Sequence, residues 1–268
     1  MNDTLHVQIT GLGRTTANSE TNTSAADVAL WRDAAALLRE RAYATENGVV
    51  RVAIDWNPLI QRTEDDDGPI ALDVKVFDAR DPRDVVTFVE LFFHEVFLLM
   101  NLAVPGSFGG AMAILSDGEH RASEVVLSAR VFEYAWATAT RNGGPSIEPL
   151  PLADVVRWYD ALQIGTQQLA TTDVTKALFV LLHLAGAEEN ESTSVLLLGQ
   201  ALEALSEAPP RFFELRDAIV HGTAPVLHPM AEDALDDRVD DASIELVNAA
   251  DLAASVVVSA IQKRVRSV

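Results

Sequence analysis

Apolar and polar positions alternate in three short stretches of the first half. Leu5–Thr10 (LHVQIT), Val49–Trp56 (VVRVAIDW) and Ala71–Asp78 (ALDVKVFD) all place apolar residues at every second position, the period of a half-buried strand. Between the first two, Ala25–Tyr43 (AADVALWRDAAALLRERAY) repeats at helical spacing, with Ser24 as a candidate N-cap. Asp81–Ala103 (DPRDVVTFVELFFHEVFLLMNLA) is apolar almost all round and predicts a long buried helix with Pro82 near its start. Pro105–Gly110 (PGSFGG) ends it, and Ala111–Asp117 and Ser123–Trp136 read as two strands, or as a strand followed by a helix.

Arg141–Leu152 (RNGGPSIEPLPL), rich in Gly and Pro, is the best domain boundary. Beyond it the periodicity is helical to the end. The segments are Leu152–Leu162, Thr171–Asn190 with Thr172 or Asp173 as cap, Ser192–Ala208, Pro209–Gly222 and Asp241–Arg266. The last has Asp at its start and Lys and Arg at its end, as the helix dipole favours. Successive helices with short breaks predict a bundle. The fold class expected is therefore α+β: a mixed α/β region over residues 1–145, of unassigned role, then an all-α bundle over 150–268.

Composition narrows the function. The chain has 268 residues, 49% of them hydrophobic, which suffices for a real core. No window holds the roughly 18 uninterrupted apolar residues of a membrane span; Leu91–Val104 comes closest and is broken by His94, Glu95 and Asn101. The first residues, MNDTLHVQITG, lack the regions of a signal peptide, so a cytoplasmic location without membrane contact is expected. Cysteine is absent, which excludes disulfides and thiolate metal sites. The net charge is -20 and repels nucleic acid at long range, so any such binding must use a local basic patch. Lysine occurs only at Lys75, Lys176 and Lys263, leaving arginine as the main phosphate ligand.

Most chemical motifs dissolve on inspection. His94-Glu95 lacks the second histidine of a zincin, since position 98 is Leu. Gly11–Arg14 (GLGR) lacks the third glycine of a dinucleotide loop, and Thr63–Pro69 (TEDDDGP) has contiguous acids without ligand spacing. Ser116, Asp117 and His120 are sequence neighbours without a nucleophile elbow, so an enzyme sited in the first half, there or at Asp65–Asp67, has no motif behind it. His183 sits in an apolar helix as a core or interface histidine.

Arg211–Pro225 (RFFELRDAIVHGTAP) is different. Phe212, Phe213, Leu215, Ile219 and Val220 can anchor a helix, Pro209 and Pro210 suit its first turn, and Gly222 can cap its end. His221 then stands at the last helical position. Asp217 and His221, four apart, lie about 40° apart round the helix and can touch, which would orient and charge the imidazole. Arg216 and His221 lie about 140° apart and do not share a face. Either the helix end frays, or two copies of the helix build the site in a symmetric dimer. Such a site suits RNA cleavage without metal: His221 exchanging a proton with the 2′-hydroxyl or the leaving 5′-oxygen, Arg216 holding the phosphate.

Leu215–Gly222 (LRDAIVHG) resembles the HEPN domains, in particular the Apea-like branch, which carry Arg, a polar residue, three residues, His and then Gly. Leu196–Glu207 (LLLGQALEALSE) is similar to the preceding helix of that branch, and a long terminal helix also fits. The resemblance covers about Leu150–Val268. It implies an all-helical HEPN-like bundle that dimerises through the motif helices. It also implies a metal-independent endoribonuclease of toxin-antitoxin, phage-defence or RNA-processing systems, with no cofactor. Arg216, Asp217 and His221 carry over as catalytic residues, with Glu203 and Gly222 in support. The implied partners are RNA, a second copy of the chain, and an antitoxin or other protein. Some members of the family are non-catalytic dimerisation or nucleotide- or protein-binding modules, which is the alternative reading.

Overall fold

The structure, a computed structural model, describes residues 2–10, 23–61, 69–116, 120–141, 144–186, 191–224 and 237–268. The chain is mixed α+β, with a sheet in its first half and helices in its second. It divides into two compact units whose boundary is not the expected break near residues 145–150. Residues 149–169 group with 1–129, and residues 130–148 group with 170–267.

The first unit is a six-stranded antiparallel sheet with order β2-β3-β4-β1-β5-β6. Its strands are β1 (Asn2–Thr10), β2 (Glu40–Thr45), β3 (Gly48–Ile54), β4 (Ile70–Phe77), β5 (Gly110–Ser116) and β6 (His120–Leu127). The alternation read from sequence is what packs. Leu5, Val7, Ile9, Val50, Val52, Ile54, Leu72, Val74 and Val76 are buried, while Gln8, Arg51, Asp73 and Lys75 between them are exposed. One face is thus core and the other is wet, as antiparallel sheets permit. On the wet face His6 Nδ1 meets Asp73 Oδ1 at 2.8 Å across β1 and β4.

Helices α1 (Thr23–Leu37), α2 (Asn57–Ile60), α3 (Pro82–Ala103) and α5 (Leu152–Ala161) complete this unit. The expected helix over Ala25–Tyr43 ends early. After Leu37 the chain becomes β2, paired among the described residues with β3 alone. Arg39, Glu40 and Ala42 favour helix intrinsically, but the Ile54 amide bonds to the Arg39 carbonyl and buried Tyr43 needs the sheet, so tertiary pairing overrides propensity. The Trp56 indole N–H fixes the corner by donating to the Leu38 carbonyl at 3.0 Å. The β2–β3 hairpin turns at Glu46-Asn47, and Gly48 has φ +132°, a conformation that glycine permits.

Helix α3 carries the chain from β4 to β5, which flank β1 on either side. Phe92, Phe93, Val96, Phe97, Leu99 and Leu102 on it are buried. Its last turn is held by Asn101, also buried. The Asn101 amide donates to the carbonyls of Phe97 (2.9 Å) and Phe108 (2.6 Å), and its oxygen accepts from the Gly106 amide at 2.9 Å.

The second unit holds α4 (Arg130–Arg141), α6 (Asp173–Gly186), α7 (Glu191–Leu205), α8 (Phe212–Val220) and α9 (Asp237–Val265). Within it α9 packs on α4 and α7, α6 on α7 and α4, and α8 on α7. Thr172 caps α6 as expected: its hydroxyl accepts from the Thr175 amide at 3.2 Å, while Thr175 Oγ1 accepts from the Thr172 amide at 2.9 Å. Ser259 and Gln262 of α9 bond to the Ser146 carbonyl and Glu148 amide, fastening residues 144–148 to this unit.

No uninterrupted apolar run spans a membrane's width, but two helices are long and apolar enough to do so by length and average composition. They are Asp84–Ala103 of α3 and Asp241–Val265 of α9, whose windows are 72% and 50% buried within the protein. The apolar surface of α3 is therefore largely core surface.

His94 of α3 supplies a pH test. Burial lowers its imidazole from the usual 6.5, against the opposing pull of Glu90 one turn away. The folded state then favours neutral His94, so the unfolded chain binds the extra proton as pH falls below about 6.5, and stability drops there. His94→Gln should flatten the decline in unfolding free energy between about pH 6.5 and pH 5, measured by urea titration. An unchanged slope would contradict this assignment. Asn101→Leu should cost about 2–4 kcal/mol at any pH, because it orphans buried backbone groups.

Candidate functional site

The site develops from the way α7 ends and α8 begins. Ser206 takes a left-handed φ of 59°, the Glu207 amide reaches back to the Leu202 carbonyl at 2.9 Å, and the Ser206 amide bonds to the Glu203 carbonyl at 3.1 Å. This closes α7 in a Schellman turn. Pro209 and Pro210 lie in the following bend rather than in the first turn of α8, which starts at Phe212 after Arg211 with φ 61°. Gly222 closes α8 as expected. Its φ is +69°, its amide bonds to the Ile219 carbonyl at 3.1 Å, and the Thr223 amide bonds to the Ala218 carbonyl at 2.8 Å. His221 is left at the C-cap, outside the regular turns.

Anchoring of α8 is lighter than the apolar count suggests. Phe212 alone among its residues is buried; Phe213, Leu215 and Ile219 are partly covered, and Val220 is 60% exposed. The helix rests on α7 beside Gly199.

Arg216 faces that contact. Its Nη1 donates to Glu203 Oε1 on α7 at 2.7 Å, and its Cζ lies 4.9 Å above the Phe213 ring. Asp217 Oδ1 stands 2.8 Å from Arg216 Nε, but the N–H does not point at it. The two charges therefore touch without a hydrogen bond, and Nε is buried with no acceptor. Two carboxylates on one guanidinium leave the cluster net negative.

The expected Asp217–His221 contact does not form. Asp217 turns to Arg216, and the two residues share only the helical bond from the His221 amide to the Asp217 carbonyl at 2.9 Å. Among the described residues the exposed His221 ring has no hydrogen-bond partner. Arg216 and His221 thus occupy different sides of α8, as their spacing requires. Glu203, Arg216 and Asp217 come together; His221 stands apart at the helix end.

The other candidates resolve as follows. His183 is exposed, not a core residue. Ser116 and His120 are cross-strand partners at the β5–β6 turn, while Asp117, Gly11–Arg14 and Asp65–Asp67 lie outside the described residues. Ser123 donates a hydrogen bond to Glu90, which is one turn from His94. The serine bonds to the acid and not to the histidine, so no base is placed on the hydroxyl. No group of three His, Asp or Glu gathers as a metal site among the described residues.

A second polar cluster, in the sheet unit, escaped the sequence reading. Glu95 of α3 is 3% exposed. It accepts from Tyr43 Oη at 2.8 Å and Arg41 Nε at 3.2 Å, and Arg41 Nη2 continues to Asp160 of α5 at 2.8 Å. Burial pushes the Glu95 carboxyl above its usual range, and Arg41, Tyr43 and Tyr159 pull it part of the way back. Burial, and then the Glu95 charge, raise both tyrosine hydroxyls, which stay neutral donors. A cavity of about 430 Å³ opens beside the cluster, lined by Glu40, Ala42, Ala44 and Gln163 among others. The only signal in sequence was an acid inside an apolar helix; its partners are distant in the chain.

No family model, curated protein or solved structure matches this chain.

The two clusters should respond differently to mutation. Arg41→Met strands a buried carboxylate and should cost about 3–5 kcal/mol, most of it recovered when Glu95→Met is added. At the Arg216 cluster, a double-mutant cycle of Glu203→Gln with Arg216→Gln should give a coupling of only about 0.2–1 kcal/mol, vanishing in 1 M salt. Urea unfolding measures both, and equal couplings would refute the distinction.

Proposed function

We propose that the chain is a metal-independent endoribonuclease of the HEPN type, that the helices of the second unit are its HEPN-like bundle, and that the working site is shared by two copies. The observation that carries this reading is His221: an exposed imidazole with no hydrogen-bond partner among the described residues, at the end of the helix that also holds Arg216. An exposed histidine at a helix C-cap is placed to take up or deliver a proton.

The chemistry follows from the residue types. His221 accepts the 2′-hydroxyl proton or delivers one to the 5′-oxygen. The 2′-oxygen attacks the adjacent phosphorus, the P–O5′ bond breaks, and the products are a 2′,3′-cyclic phosphate and a 5′-hydroxyl. Arg216 holds a non-bridging oxygen as charge builds on it. Arg216 turns to α7 and His221 stands at the end of α8, so in this reading a second copy brings an arginine and a histidine to one phosphate. Exposed Val220, next to His221, is apolar surface suited to that approach. A cytoplasmic toxin or defence effector, held in check by an antitoxin or other protein, is the biological setting this chemistry fits.

The alternative is a non-catalytic dimerisation or nucleotide- or protein-binding module. Its support is the pairing of Arg216 with Glu203 and Asp217 on a chain of net charge -20, which weakens phosphate binding.

Incubation of mixed RNA in EDTA separates the two. The wild type should cut RNA but not DNA, leaving cyclic phosphate ends, and His221→Ala should cut about 10²–10⁴-fold more slowly. Absence of wild-type cleavage, or equal cleavage by the variant, ends the catalytic reading. In that case Arg216→Ala, followed by size-exclusion chromatography and partner binding, tests the alternative.

A further inference from the structure

Helix α7 carries a glycine in its middle, where alanine is the better helix former. Gly199 is buried and faces α8. A Cβ at this position would stand 3.3 Å from Arg216 Cγ, 3.7 Å from Arg216 Cδ and 3.7 Å from Phe212 Cε1. The first distance is tighter than ordinary packing, so a methyl group there must push the arginine stem. The missing side chain is therefore the space in which that stem lies.

The rest of the seat is equally defined. The Phe213 ring lies under the guanidinium, 4.9 Å from Cζ, and its edge-on contact with Phe212 at 5.5 Å ties it to the one buried side chain of α8. Glu203, one turn beyond Gly199 on α7, takes Nη1 at 2.7 Å. Nε is buried and lacks an acceptor. Asp217 Oδ1 stands 2.8 Å from it.

We infer that Gly199 and Phe213 are positioning residues for Arg216: the gap at Gly199 and the ring of Phe213 set where its guanidinium stands. This rests on the endoribonuclease reading for its catalytic consequence, but not for the geometry. They act through Arg216, by fixing the point at which its charge meets a phosphate oxygen.

The test uses the full chain labelled with ¹⁵N-arginine. The Arg216 Nε–H signal is identified by its loss in Arg216→Lys. In the wild type this proton should exchange slowly with water, because it is buried. Gly199→Ala should shift the signal and speed its exchange by about tenfold or more. Phe213→Leu, on a partly exposed position, should do the same from the other side, and it serves if Gly199→Ala does not fold. RNA cleavage in EDTA should fall by about tenfold in both, through kcat with KM little changed, as expected when a charge is misplaced in the transition state. An Nε–H signal unmoved in position and exchange overturns the inference, as does a moved signal with unchanged kcat. If the signal moves but the wild type never cuts RNA, the seat stands and the endoribonuclease reading falls.

Discussion

A carboxyl only 3% exposed organises the sheet unit. Glu95 lies on the helix that crosses from β4 to β5, among phenylalanines and leucines, and an uncompensated carboxylate there would be costly. Arg41 and Tyr43 from β2 and Tyr159 from α5 supply its hydrogen bonds. The cluster therefore ties three elements that are far apart in sequence, and the outward reach of Arg41 to Asp160 adds a second hold on α5. It also explains why β2 is a strand at all: Tyr43, its single buried residue, must present a hydroxyl to Glu95.

The second unit is built on the opposite principle. Apart from Phe212, α8 is held by half-covered side chains and by ion pairs within reach of solvent. Interactions of that kind add little stability, yet they fix direction. Left-handed residues bound the helix at both ends, Arg211 at φ 61° and Gly222 at φ 69°. The chain thus turns sharply into and out of nine residues, with His221 at the C-cap just beyond them.

Legibility tracked locality. β1, β3 and β4 were readable because their inward residues recur at every second position, and α3 because it is apolar for six turns. β2 was hidden: one buried residue makes no period, and Arg39 to Ala42 favour a helix. The dipeptide Asn47-Gly48 was the available hint of a hairpin. At the site, spacing correctly separated Arg216 from His221 and placed Gly222 at the helix end. It failed for Asp217, because Cβ positions do not say where a long arginine bends. Gly199 had no visible meaning until Arg216 lay against it, and the partners of Glu95 are set by the fold alone.

The interleaving of the two units bears on how the chain can be divided. The Gly- and Pro-rich segment after α4 looks like a place to cut, yet α4 groups with the helices beyond it and α5 with the sheet before it. A fragment starting at residue 150 would carry α5 away from Glu95 and Arg41, and would leave behind α4, on which α6 and α9 pack. Neither half could be exchanged as a cassette by a single crossover at that segment. An exchange that kept both cores intact would have to carry α4 with the later helices and α5 with the sheet.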